Sequence, residues 1–289
     1  MSRQTATPPG LDSRPNFDRL SLRSLWEFYV HQFQVDVAIN LAYRGAVAIW
    51  VLGTVMQPLV SLVVWRTVAH GQGGGAASFT ANEYTAYFVV VMLVNHLTFI
   101  WHMWEFEWRI RTGFFSPLLL RPIHPIHHDI SENLSYKLVG LAGVIPAAII
   151  LALAFDADLS RTSAADALAF VPALLLAMAL RFVVEWTLAL AAFWLTKVSA
   201  LNNLFDICFL FLGGQFAPLD VMPGWVQALS LASPFRWSIA FPVEVALGRQ
   251  TGMGILLGYG AQLAWILVAV VVLRALWGRA VRRYTAVGA

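Results

Sequence analysis

The stretch Leu212–Arg249, LGGQFAPLDVMPGWVQALSLASPFRWSIAFPVEVALGR, separates two apolar spans and is too broken to cross a membrane itself. Pro218 and Pro223 stop the helix before them, Pro223-Gly224 opens a short helical run through Leu231, and Pro234 ends that run before a second one reaches Leu247. Gly248 closes the second run. At about 1.5 Å per residue the two runs are about 13 and about 20 Å long, against about 30 Å of hydrocarbon, so the pair must dip in and return. Irregular backbone at membrane depth is tolerated only where protein or a water-filled cavity satisfies its polar groups. Residues 217–249 are therefore predicted as a re-entrant helical hairpin over or beside a translocation path.

The rest of the chain agrees with a membrane setting. Of 289 residues, 59% are hydrophobic and 12% charged, and the mean hydropathy is +0.68, which places the chain among all-α, multi-pass membrane proteins. The 12 tryptophans suit interfacial belts. The polar start, Met1 to Arg14, lacks the apolar core and cleavage site of a signal peptide and is expected to be retained. The single cysteine, Cys208, lies in an apolar span and forms no intrachain disulfide.

In chain order, residues 15–36 mix charges with Leu20, Leu22, Leu25, Trp26, Phe28, Tyr29 and Phe33, the pattern of an amphipathic helix lying on the membrane surface. It belongs to an N-terminal segment, 1–43, ahead of a permease domain, 44–289. Six spans are predicted: 45–68, kinked at Gln57-Pro58; 83–104; 132–155; 165–196; one from about Val198 to Phe216; and 254–277. The glycine-rich stretch from His70 reads as a flexible loop, and 105–131 as the main internal hydrophilic loop. With six spans, fourteen lysines and arginines fall on the side of both termini and the internal loop, against four on the other, namely Arg66, Arg161, Arg236 and Arg249. The positive-inside rule then puts both termini in the cytoplasm and the hairpin outside. Positive charge confined to the chain ends and one loop gives no footprint for nucleic acid.

Catalytic signatures are absent. Neither lysine, Lys137 nor Lys197, follows a glycine, so no phosphate-binding G-x-x-x-x-G-K-[ST] loop exists, and H-E-x-x-H and G-x-S-x-G are missing too. If ATP drives the protein, another chain binds it. The densest ligand-like group is His124, His127, His128 and Asp129 in HPIHHD, which reads as a polar loop near headgroups, with no metal site expected. Ionisable residues inside spans are expensive unless paired or facing a polar cavity. Arg181 and Glu185, four apart in the fourth span, are expected to pair toward the bundle interior, and Asp206 to mark the cytoplasmic end of the fifth.

These residues carry a resemblance. A span ending Gly213-Gly214, then Phe216-Ala217-Pro218-Leu219, Met222-Pro223-Gly224-Trp225, Ser233-Pro234-Phe235, and Pro242 with Gly248 before a last span, is similar to the C-terminal signature of type-2 ABC transporter permeases. The resemblance implies a bacterial inner-membrane subunit that dimerises with a second copy or a related permease and docks cytosolic ABC ATPase subunits, which bind the ATP and magnesium. It also implies export of an amphipathic or lipid-linked compound. Pro218, Pro223, Trp225, Pro234 and Phe235 would then belong to an extracellular cap or aromatic belt. The family's cytoplasmic coupling helix would correspond to the segment carrying Glu105, Arg109, Arg111, Gly113, Leu118, Arg121 and Pro122. Two other classes stay open on the residues alone: an ion-coupled secondary transporter and a membrane-embedded lipid-modifying enzyme.

Overall fold

The computed structural model describes residues 22–71, 75–76 and 79–284. The readings made of residues 1–21 and of 72–74 and 77–78 in the glycine-rich stretch lie outside them. The fold is helical: α1 (Leu22–Ala42), α2 (Arg44–Gly71), a two-residue ladder of β1 (Gly75–Ala76) and β2 (Phe79–Thr80), α3 (Ala81–Thr98), α4 (His102–Arg111), α5 (Ser116–Leu119), α6 (Pro125–Ala154), α7 (Ala164–Ala189), α8 (Ser199–Leu212), α9 (Gly224–Leu231), α10 (Pro234–Ser238), α11 (Ala240–Ala246) and α12 (Gly252–Arg283). Five helical units are long and apolar enough to cross a membrane: α2, α3 with α4, α6, α7 with its 3₁₀ extension to Phe193, and α12. The protein is a multi-pass membrane protein. The helix predicted as the fifth span is α8; it begins near Val198 as expected, but its 14 residues reach only about 21 Å.

Local chemistry explains the boundaries. Thr80 caps α3 and Glu83 returns the bond to the Thr80 N–H, a capping box repeated by Ser163 and Asp166 at α7. Pro125 sits in the first turn of α6, where its missing N–H costs nothing, and the helix starts seven residues before the predicted span. The span predicted as 83–104 is broken at Phe99–Trp101, a segment without glycine or proline. Tertiary contacts hold that break: Asn133 Nδ2 donates to the freed Phe99 carbonyl at 3.1 Å.

The amphipathic helix runs from Leu22 to Ala42 rather than ending at 36; Arg23 and Glu27 stay exposed, while polar groups from Tyr29 onward turn onto protein. Tyr29 Oη meets His127 Nδ1 at 2.7 Å, Ser131 Oγ donates to Asp36 at 2.8 Å, and Asn40 Nδ2 donates to Ser135 Oγ at 3.0 Å. The matched order of these contacts makes α1 run parallel to the first turns of α6.

The bundle has two polar ends. At one, Glu83 is bridged by Arg161 at 3.1 Å and Arg249 at 3.0 Å, and Arg66 donates to the Phe155 carbonyl and to Thr85. At the other, the rings of His124, Trp186 and Trp277 pack together at a tilt, Ser116 Oγ meets Tyr284 Oη at 2.6 Å, and the Val198 N–H donates to Glu107 at 3.0 Å. The loops grouped by charge in the sequence therefore do share an end. Lys137 is the exception. It was counted with the internal loop, but it lies inside α6 and is buried.

The hairpin packs onto α12 through Gly258, where an added Cβ would lie 2.0 Å from the Phe241 ring. Gly258→Val is expected to push α11 off α12 and cost about 1–3 kcal/mol, read as earlier melting of the detergent-solubilised protein. An unchanged melt would show that this contact is not tight.

Candidate functional site

The segment 102–124 forms a knob of two short helices, buried on one side and exposed on the other. α4 ends at Thr112, Gly113 turns the chain with φ +77°, and α5 follows within three residues. Positive φ is cheap for glycine alone. Trp108 stacks on Phe114 with centroids 4.8 Å apart, and both are exposed. Leu120 is 86% exposed beside exposed Arg121 and Pro122. Arg111 is also outward, 3.6 Å from Glu107. Leu118 instead packs, half-buried, against the aromatic core of Phe106, Phe115, Trp186 and Phe193.

Arg109 faces inward as well. Its guanidinium donates to Glu105 at 2.6 Å, to Asp129 at 2.7 Å and to Glu132 at 3.1 Å, and Trp186 Nε1 donates to the other Asp129 oxygen at 2.9 Å. This network ties the knob to the start of α6 and to α7. His102, Asp129 and Glu132 bring ligand atoms within 4.8 Å of one another, yet the Arg109 guanidinium is bonded to both carboxylates, so the donor set is that of an ion network and does not fit a metal centre. HPIHHD does not converge either. His124 caps α6 by accepting from the Ile126 N–H, His127 meets Tyr29, and His128 approaches Asp129 at 3.4 Å. Burial beneath Trp186 and Trp277 pushes the His124 imidazole down to about 4, which keeps Nδ1 free to accept.

Arg181 and Glu185 pair as expected, at 2.5 Å, in the interior. The structure adds partners that their spacing did not announce. Arg181 Nη1 donates to Asn95 at 2.7 Å and Thr98 at 3.0 Å, Gln215 Nε2 reaches Asn95 at 3.3 Å, and the guanidinium lies 4.1 Å over the Phe209 ring. Lys137 is near enough to act on Glu185 electrostatically. Five elements thus meet at one buried polar node beside the break between α3 and α4. Asp206, exposed on α8, makes neither a hydrogen bond nor an ion pair among the described residues, and like Lys137 it is near enough to act on the node only electrostatically.

The hairpin residues divide by role. Gly214, at φ +81°, lets its carbonyl accept from Tyr87 Oη at 2.8 Å, and an added Cβ would lie 2.7 Å from that oxygen. Gly213 ends α8, Pro218 leads into a 3₁₀ turn, and Pro223 and Pro234 precede or open α9 and α10. Phe235 packs on Phe205 and Phe209, whereas Trp225 is exposed. The second predicted run is split at Ile239. Gln262 of α12 satisfies the backbone nearby, donating to the Trp237 carbonyl at 2.8 Å and the Ala173 carbonyl at 2.9 Å. Arg236 and Glu244, 2.7 Å apart, brace the two halves.

The family described as ABC-2 family transporter protein matches residues 55–288. The chain belongs to the ABC-2 transporter family. Neither a curated protein nor a solved structure is similar enough to match it. As an ABC-2 membrane protein it is a transport subunit, and the match spans the knob, the buried node and the hairpin alike. Sequence reasoning missed Asn95, Glu132 and Gln262 in this ABC-2 chain, and it read Asp129 as part of a polar loop and not as the partner of Arg109. Asn95 and Gln262 stand in apolar spans, where the cost of burying a polar group is the signal that would have found them, whereas Glu132 lies in a polar run that gives no such signal.

Proposed function

We propose that this protein is the permease of an ATP-driven exporter, with ATP and magnesium held by separate cytosolic ATPase subunits. Two permeases, identical or related, would enclose a path along α8 for an amphipathic or lipid-linked compound in a bacterial inner membrane. One observation carries the reading: α8 exposes Asn203 and Asp206, one turn apart, on a helix otherwise as apolar as Leu204, Ile207 and Phe211. Polar groups exposed on an otherwise apolar helix are costly against lipid, so this face belongs against a wet path or a second permease. In this arrangement α8 with the returning chain supplies a sixth crossing and residues 217–249 the external re-entrant cap. The knob and both termini are cytoplasmic. Closure of two ATPases then moves the knob, and the Arg109 network carries that motion into α6 and α7 as a rigid body.

Purification of the tagged protein from its host in mild detergent, with mass spectrometry, is expected to recover a stoichiometric nucleotide-binding subunit whose inactivation abolishes ATP turnover. A chain that comes down alone and moves substrate in vesicles without ATP would overturn the proposal.

A further inference from the structure

A cavity of about 660 Å³ opens where the junction of α1 and α2 meets the α3–α4 break, α6 and α8. Its volume lies in the range of small-molecule sites. The walls include Trp50, Trp101, Trp104 and Tyr136, with two carboxylates, Glu105 and Asp206. Trp101 and Tyr136 meet edge to face at 4.9 Å, so the cavity has aromatic surfaces in more than one orientation. Trp50 is 66% exposed and Trp104 38%, which leaves ring surface free for a ligand.

The charge balance is one-sided. Glu105 spends one oxygen on Arg109. Asp206 is unpaired among the described residues, and the nearby Arg181 is committed to Glu185, Asn95 and Thr98. Among the named wall residues none is cationic. Electron-rich ring faces around a carboxylate with no bonded counter-charge, that of Asp206, attract a cation with an apolar body, because the rings stabilise a diffuse positive charge that binds water weakly. An anion of equal size would meet the same rings without a counter-charge.

We propose that this cavity is a binding site for amphipathic organic cations, such as quaternary ammonium or phosphonium compounds, held by Trp50, Trp101 and Trp104 with Asp206 as counter-ion. The assignment rests on the transport reading for its purpose but not for its test. It places cargo capture beside the knob-bearing helix, so that occupancy and ATPase contact act on the same α3–α4 break.

The test uses the purified full-length permease in detergent and a matched pair of probes, tetraphenylphosphonium and tetraphenylborate, alike in shape and opposite in charge. Tetraphenylphosphonium is expected to bind at least tenfold more tightly, with Asp206→Asn and Trp50→Leu each weakening it about tenfold; both side chains are exposed, and an unchanged melting temperature checks the fold. Equal binding of the two probes, or no effect of Asp206→Asn in a folded protein, would overturn the site. Displacement of the bound cation by a choline lysophospholipid, but not by its phosphoglycerol counterpart, would identify choline headgroups as the source of the cation; displacement by neither identifies free cations. Either result supports the cation chemistry. Binding is measured without ATPase, so a cavity that binds in a chain recovered alone leaves this inference standing while the exporter reading fails, and the reverse outcome sinks only the cavity.

Discussion

Exchanging Arg181 for Met while Glu185 stays in place is expected to destabilise the folded protein by about 3–5 kcal/mol, because it strands a buried carboxylate. Glu185 is fully buried, and among the described residues its second oxygen already lacks a hydrogen-bond partner. Its first oxygen depends on the Arg181 bond at 2.5 Å. The same substitution removes the donor to Asn95 and Thr98 beside the α3–α4 break. The double exchange Arg181→Met with Glu185→Leu removes both charges and should recover most of the loss, since apolar replacement of a whole buried pair is often neutral or better. Heating the tagged proteins and following the surviving fraction by size exclusion separates the two. If the double variant melts as early as the single, the pair is not what the node depends on. If it melts normally but no longer transports, the node belongs to the moving parts.

Why some of this was legible in the sequence and some was not follows from the range of each signal. The Pro223-Gly224 start, the Pro234 break and the Gly248 stop act within one or two residues, and the structure puts helix ends there. The Arg181–Glu185 pair is a one-turn relation within a helix, equally local. The break at Phe99–Trp101 has no local breaker and exists through Asn133 and the contacts of Arg181, residues far away in the chain. Likewise Arg109, placed in the coupling segment by the resemblance, turns inward because Asp129 and Glu132 arrive from α6. Burial of Lys137 escaped the charge count for the same reason, since its surroundings come from other helices.

The second large effect is expected at the knob. Leu120→Asp combined with Arg121→Glu should lower recovery of the ATPase subunit at least thirtyfold, about 2 kcal/mol, the scale of an interface hot spot. Leu120 is 86% exposed, a burden in water unless a partner covers it, and Arg121 beside it supplies a directed charge. Neither residue makes a side-chain hydrogen bond or ion pair among the described residues, so the fold should survive the change. Arg109→Ala is the contrasting control. It should also weaken ATPase recovery, but by uncoupling α4 from Asp129 and Glu132, and therefore with a lowered melting temperature. A double variant at Leu120 and Arg121 that still recovers the ATPase in full would move the contact elsewhere, with the exposed Trp108–Phe114 stack the next surface to alter. Loss of recovery at an unchanged melting temperature would instead fix the knob as the contact and leave the Arg109 network as the linkage behind it.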